Sequence, residues 1–142
     1  MPATFRFRRM VDFSDTDMAG IMHFAAFFRF MESAEHALLR SLGLSIYQQH
    51  EEGVALSFPR VSARCDYHSP ARCENELDIE VVVHRLGTSS ITYGFRFSHA
   101  DHELAVGEMT SVCCLIQEGV RPKPTPLPQD IVALLKPYLS AS

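Results

Sequence analysis

Apolar and polar positions alternate from residue 4 to 16, with Phe5, Phe7, Val11 and Phe13 on odd positions and mostly polar side chains between them. A period of two predicts a strand with one buried face. Asp15 and Asp17 share the odd parity, so an extended chain carries them on the same inward row. Gly20 interrupts the strand, and from residue 23 to 42 the period changes: Phe24, Phe27, Phe28, Met31, Ala34, Leu38, Leu39 and Leu42 recur at three and four. That spacing predicts a helix. Phe30 and Ala37 widen its apolar face, so other structure must wrap much of its circumference, and Gly43 and Arg40 suit its C-terminal end.

After a short polar connection the pattern returns to strands. Residues 55–68 form the first, where Pro59 marks an edge or a bulge. In residues 76–86 Leu77, Ile79, Val81 and Val83 alternate against acids, "GTSS" turns the chain into residues 91–98, and "HADHE" leads to a long strand over 104–117. The proline-rich "RPKPTPLP" ends the sheet, and "QDIVALLKPYL" reads as a short helix that Pro137 stops. The expected fold is α+β: one curved antiparallel sheet of about five strands wrapped around one long central helix. Its open edge favours pairing with a second copy.

The 142 residues fit one domain, 1–142, with the proline-rich segment and terminal helix from about residue 121. A net charge of −4 argues against a nucleic-acid partner, although "RFRRM" leaves room for a small anion. No apolar stretch has the length of a membrane span and the N-terminus lacks a signal-peptide pattern, so the expected location is cytoplasmic. Cys65, Cys73, Cys113 and Cys114 form no C-x-x-C pair and are read as reduced thiols.

The chemistry concentrates in "DFSDTDMAGIMHF", residues 12–24, where three carboxylates fall within six residues beside no basic group. Crowded acids repel, so they need a partner or a task. A calcium loop fails, because Ala19 and Ala26 stand where an EF-hand needs ligands. A single aspartate before a helix commonly caps it or ties a loop. The chemical reading pairs an ionised carboxylate with the unpaired N–H groups of a helix start, which is what acyl transfer needs, while Ile21, Met22 and His23 wall an acyl chain.

The segment "FSDTDMAGIMHFAAFFRFMESAE", with its D-x-D-x-x-G element, resembles the signature of the 4-hydroxybenzoyl-CoA thioesterase family, which includes YbgC-like acyl-CoA thioesterases. "LGTSSITYGF", "ELAVGEMTSVCCL" and "RPKPTPLP" resemble that family's later strands and terminal segment. The resemblance implies the hotdog fold, assembled as homodimers or dimers of dimers, and hydrolysis of an acyl-CoA to free acid and coenzyme A, which is part of the substrate and not a cofactor. It implies Asp17 as the catalytic carboxylate, nucleophile or general base, and the backbone N–H of Phe24 as oxyanion donor. Glu35 stands where many members carry arginine, and Phe24 where tyrosine is frequent.

Asp15 and Gly20 are expected to orient the loop, and Ile21, Met22 and His23 to contact substrate. Glu32 is expected to be a buried, hydrogen-bonded carboxylate. Arg85, Arg121 and Lys123 are candidates for the coenzyme A phosphates. His99, Asp101 and His102 sit in a turn and are read as solvated, so no metal is expected. Two other classes remain open: a dehydratase or hydratase, for which His23 with Glu32 is the only visible histidine–carboxylate pair, and a non-catalytic acyl-CoA binder.

Overall fold

The computed structural model describes residues 2–140; residues 1, 141 and 142 of the expected domain lie outside it. Strand β1 (Phe5–Met10) leads through a 3-10 turn (Phe13–Asp15) to helix α1 (Ala26–Ser41). Strands β2 (Tyr47–Glu51), β3 (Val54–Ser57), β4 (Arg60–Tyr67), β5 (Glu76–Leu86), β6 (Ser90–His99), β7 (His102–Val112), β8 (Cys114–Gln117) and β9 (Val120–Pro124) follow. Helix α2 (Gln129–Leu135) and a 3-10 turn at Lys136–Tyr138 close the chain.

Instead of one sheet of about five strands, the antiparallel pairing divides into a five-stranded sheet ordered β1-β5-β6-β7-β4 and a four-stranded sheet ordered β2-β3-β8-β9. The two are segments of one bent ribbon. Ser57 faces Cys114 and Arg60 faces Ser111, so the register carries across the break at residues 58–59 and at Cys113. Pro59, which has no N–H to give, stands at that break. Two elements went unanticipated. Residues 47–51, "YQQHE", have no alternation, yet they pair with β3, and residues 120–124 pair with β8 as an edge strand that tolerates Pro122 and Pro124.

The first strand is shorter than its pattern. The Asp15 N–H donates to the Asp12 carbonyl (2.9 Å) and the Asp12 N–H donates to Asp15 Oδ2 (2.9 Å), so local bonds bend the chain after Val11. Phe13 is therefore 83% exposed rather than inward. Asp15 is buried all the same, by the turn and not by strand parity.

Helix α1 lies on the five-stranded sheet and buries Phe27, Phe30, Met31, Ala34, Leu38 and Leu39 against Leu77, Ile79, Val81, Val83, Phe95 and Phe97. Arg9 covers the other side of Phe30, its guanidinium carbon 4.1 Å from the ring centre. The helix can approach β7 because Gly107 has no side chain: a Cβ there would run into the Met31 thioether. Gly107→Ala should therefore cost about 1–3 kcal/mol through displacement of Met31, measured by urea unfolding. An unchanged midpoint would show that Met31 moves aside freely.

Candidate active site

The acidic loop is built from backbone bonds. The Asp17 N–H donates to the Ile21 carbonyl (2.9 Å), the Gly20 N–H donates to the Asp17 carbonyl (3.0 Å), and Thr16 bridges Met22. Gly20 has φ +79°, a left-handed conformation that glycine adopts without cost. The Asp17 side chain closes an Asx turn, its Oδ1 accepting the Ala19 N–H at 2.9 Å. Its Oδ2 has no partner among the described residues.

Asp15 is fully engaged. Its carbonyl accepts the His23 N–H (2.8 Å), its Oδ2 holds Asp12, and its Oδ1 lies 3.6 Å from Arg29 Nη2. Met22 is buried, and its N–H donates to the Ala71 carbonyl (2.7 Å) in the β4–β5 connection. The helix starts later than its spacing predicts. His23 Nδ1 accepts the Ala25 N–H (3.0 Å) and the His23 carbonyl accepts the Ala26 N–H (2.9 Å), which leaves Phe24 in a turn with its ring 62% exposed. The Phe24 N–H has no partner among the described residues.

Asp17 and Phe24 line one open groove of about 390 Å³, within the range of small-molecule sites, together with Ile21, Met22 and Phe27. Its opposite wall comes from residues the sequence reading did not single out: Tyr67 and His68 at the end of β4, then Ser69, Pro70 and Ala71. Phe27 packs edge-on against both Tyr67 (5.2 Å) and Phe97 (5.1 Å), and the Tyr67 hydroxyl donates to the Phe24 carbonyl at 2.9 Å. No local signal in "CDYHSPAR" marks these side chains. The antiparallel sheet brings them to the helix start from more than forty residues away.

Other expectations change place. His68 lines the groove and its Nδ1 lies 2.8 Å from Glu103 Oε2, outside the groove's lining, whereas neither His23 nor Glu32 lines it. Glu32 is exposed, and the buried acid is Glu35, which pairs with Arg60. Burial pushes its carboxyl up to about 7 against the lowering effect of Arg60. Arg85, Arg121 and Lys123 are exposed on β5 and β9, and none lines the groove. His99 Nδ1 lies 2.9 Å from the Glu76 carbonyl and so ties the β6–β7 turn to β5. Among the described residues no group of three or more His, Cys, Asp or Glu is placed to hold a metal ion.

A family model described as the thioesterase-like superfamily matches residues 11–135. The 1,4-dihydroxy-2-naphthoyl-CoA hydrolase of Synechococcus elongatus is 29% identical over 129 residues, covering 91% of this chain and 93% of that protein. The acyl-CoA thioester hydrolase YbgC of Escherichia coli is 28% identical over 132 residues, covering 93% and 96%. The crystal structure of a 1,4-dihydroxy-2-naphthoyl-CoA thioesterase from Synechocystis matches with a TM-score of 0.83 at 27% identity, covering 94% and 96%. The chain belongs to the thioesterase-like superfamily and has its hotdog fold, with antiparallel sheets around a long helix.

Proposed function

We propose that this protein is an acyl-CoA thioester hydrolase in which Asp17 carries the chemistry and the Phe24 N–H stabilises the oxyanion. The observation that supports this best is the groove itself: Asp17, whose Oδ2 is unpartnered, and Phe24, whose N–H is unbonded, line the same apolar cleft. As nucleophile, Asp17 Oδ2 adds to the thioester carbonyl, the C–S bond breaks, coenzyme A leaves as thiolate, and water hydrolyses the mixed anhydride to free acid. As general base, Asp17 takes a proton from the water that adds instead. Label found in the Asp17 carboxylate after single turnover in 18O-labelled water would establish the anhydride route, since it requires water to attack the anhydride at the Asp17 carbonyl. The exposed faces of Phe24 and Tyr67 suit a flat acyl group, and two relatives are named for an aromatic one, 1,4-dihydroxy-2-naphthoyl-CoA.

The test is release of free thiol from aliphatic and aromatic acyl-CoAs, 1,4-dihydroxy-2-naphthoyl-CoA among them. No release across the panel overturns the reading. The His68–Glu103 pair supports a second reading, a hydratase acting on a conjugated thioester. Hydration of an enoyl-CoA that is lost in His68→Ala and kept in Asp17→Asn would establish it.

The active assembly is a homodimer, and a dimer of dimers above it. Strand β4 is one of the two edges of the five-stranded sheet, β1 being the other, and it exposes Val61 and Tyr67. Arg85, Arg121 and Lys123 would reach the coenzyme A phosphates only across such an assembly. Sedimentation at micromolar concentration should give at least a dimer, and a monomer would remove this part of the reading. The free thiols of Cys65, Cys73, Cys113 and Cys114 suit the cytoplasm. No helix among the described residues is long and apolar enough to cross a membrane.

A further inference from the structure

Of the five consecutive N–H groups from Met22 to Ala26, four have acceptors: Met22 on the Ala71 carbonyl, His23 on the Asp15 carbonyl, Ala25 on His23 Nδ1 and Ala26 on the His23 carbonyl. Phe24 supplies the fifth. A single free donor in a bonded run is useful only if its direction is held, because an oxyanion donor acts through preorganisation. The next peptide unit, Phe24 C=O to Ala25 N–H, is held at both ends. Its oxygen accepts from the Tyr67 hydroxyl (2.9 Å), and its N–H donates to His23 Nδ1 (3.0 Å).

We infer that Tyr67 and His23 are positioning residues for the proposed hydrolysis: together they clamp the Phe24–Ala25 peptide so that the Phe24 N–H points into the groove. The inference rests on the reading of Phe24 as oxyanion donor and assigns neither side chain to the substrate. Tyr67 reaches across from β4, so the clamp couples the far wall of the groove to the helix start. Its ring stays in place by packing on Phe27, which separates the hydroxyl from the packing. His23 can accept the Ala25 N–H only as the neutral imidazole protonated on Nε2. A second proton on Nδ1 removes the lone pair and the bond.

Tyr67→Phe removes one bond and keeps the ring, so kcat should fall about 10-fold with KM within about twofold, less than the 10²–10³ for losing the donor itself. His23→Ala should do the same, and His23→Asn, whose side-chain oxygen can accept an N–H two residues on, should restore most of kcat. Amide exchange at Ala25, read by NMR on wild type and Tyr67→Phe, should quicken while that of His23 stays slow. Wild-type turnover with kcat unchanged in Tyr67→Phe and His23→Ala overturns this inference alone. A wild type without turnover on any thioester overturns the hydrolase reading and the catalytic half of this one, and the exchange data then decide the clamp. Unchanged exchange overturns the clamp.

Discussion

Asp17→Asn is expected to lower kcat for thioester hydrolysis about 10³-fold or more, a loss of about 4 kcal/mol of transition-state stabilisation, with KM changed little. The substitution conserves shape. Asparagine keeps a side-chain oxygen for the Ala19 N–H, so the Asx turn survives, as do the backbone bonds of the loop, which involve no Asp17 side-chain atom. What disappears is the negative charge of a side chain that lines the groove. An amide oxygen neither adds to a thioester nor takes a proton from water at neutral pH, so both versions of the mechanism require the loss. The midpoint of thermal unfolding should move by less than about 2 °C, because a change of shape-conserving, partly exposed polarity lies within about ±0.5 kcal/mol. Turnover retained in the folded variant would remove Asp17 from the chemistry.

Arg60→Met should destabilise the fold by about 1 kcal/mol at pH 5 and by about 2 kcal/mol at pH 8, because linkage to a carboxyl that titrates near 7 limits the difference to about 1.4 kcal/mol. Glu35 is 1% exposed under the helix, and Arg60 is its cationic partner while also donating to the Phe58 carbonyl (2.8 Å). His36 Nε2 lies 3.7 Å from the same carboxylate, and burial holds that imidazole below its usual range, so it is no substitute cation at pH 8. The folded-state pKa of Glu35, about 7, is above its ordinary 4.5. The native state therefore binds the extra proton between those values, and stability from this group grows as pH falls through 7 toward 4.5. Without Arg60, whose charge pulls that pKa down, the carboxyl rises further. At pH 8 the variant must bury an unpaired charge or take up a proton. At pH 5 Glu35 is already neutral, and what is lost is packing, the bonds to Phe58 and to the neutral Glu35 carboxyl, and an exposed contact with Glu32 at 3.8 Å. Urea unfolding at the two pH values measures the difference, which Glu35→Gln in the same background should erase. Equal losses at both pH values would contradict the ionised pair.

The cation that partners Glu35 comes from β4. The same strand supplies Tyr67 to the groove and presents one of the sheet's two edges. Helix α1, the candidate site and the proposed dimer contact thus share one strand, and substitutions in β4 should rarely affect only one of them.

What the sequence by itself determined is what short-range periodicity carries. Alternation over residues 76–86 coincides with β5, the three-and-four spacing is that of α1, and Gly20 with Asp15 and Asp17 marks the loop that the structure places against the helix start. These follow from bonds between near neighbours and from the need to hide one face. Tertiary structure decided the rest. It recruited the polar residues 47–51 and the prolines of 120–124 into a second sheet, because a partner strand supplies hydrogen bonds whatever the side chains are. It buried Glu35 and exposed Glu32, three positions away on one helix, with Arg60 of β4 beside both acids and hydrogen-bonded to the buried one. It also set Tyr67 and His68 across from Asp17. The contacts across the groove span gaps of forty residues or more, and a gap of that length leaves no periodic trace: only the register of the sheet determines which side chains meet.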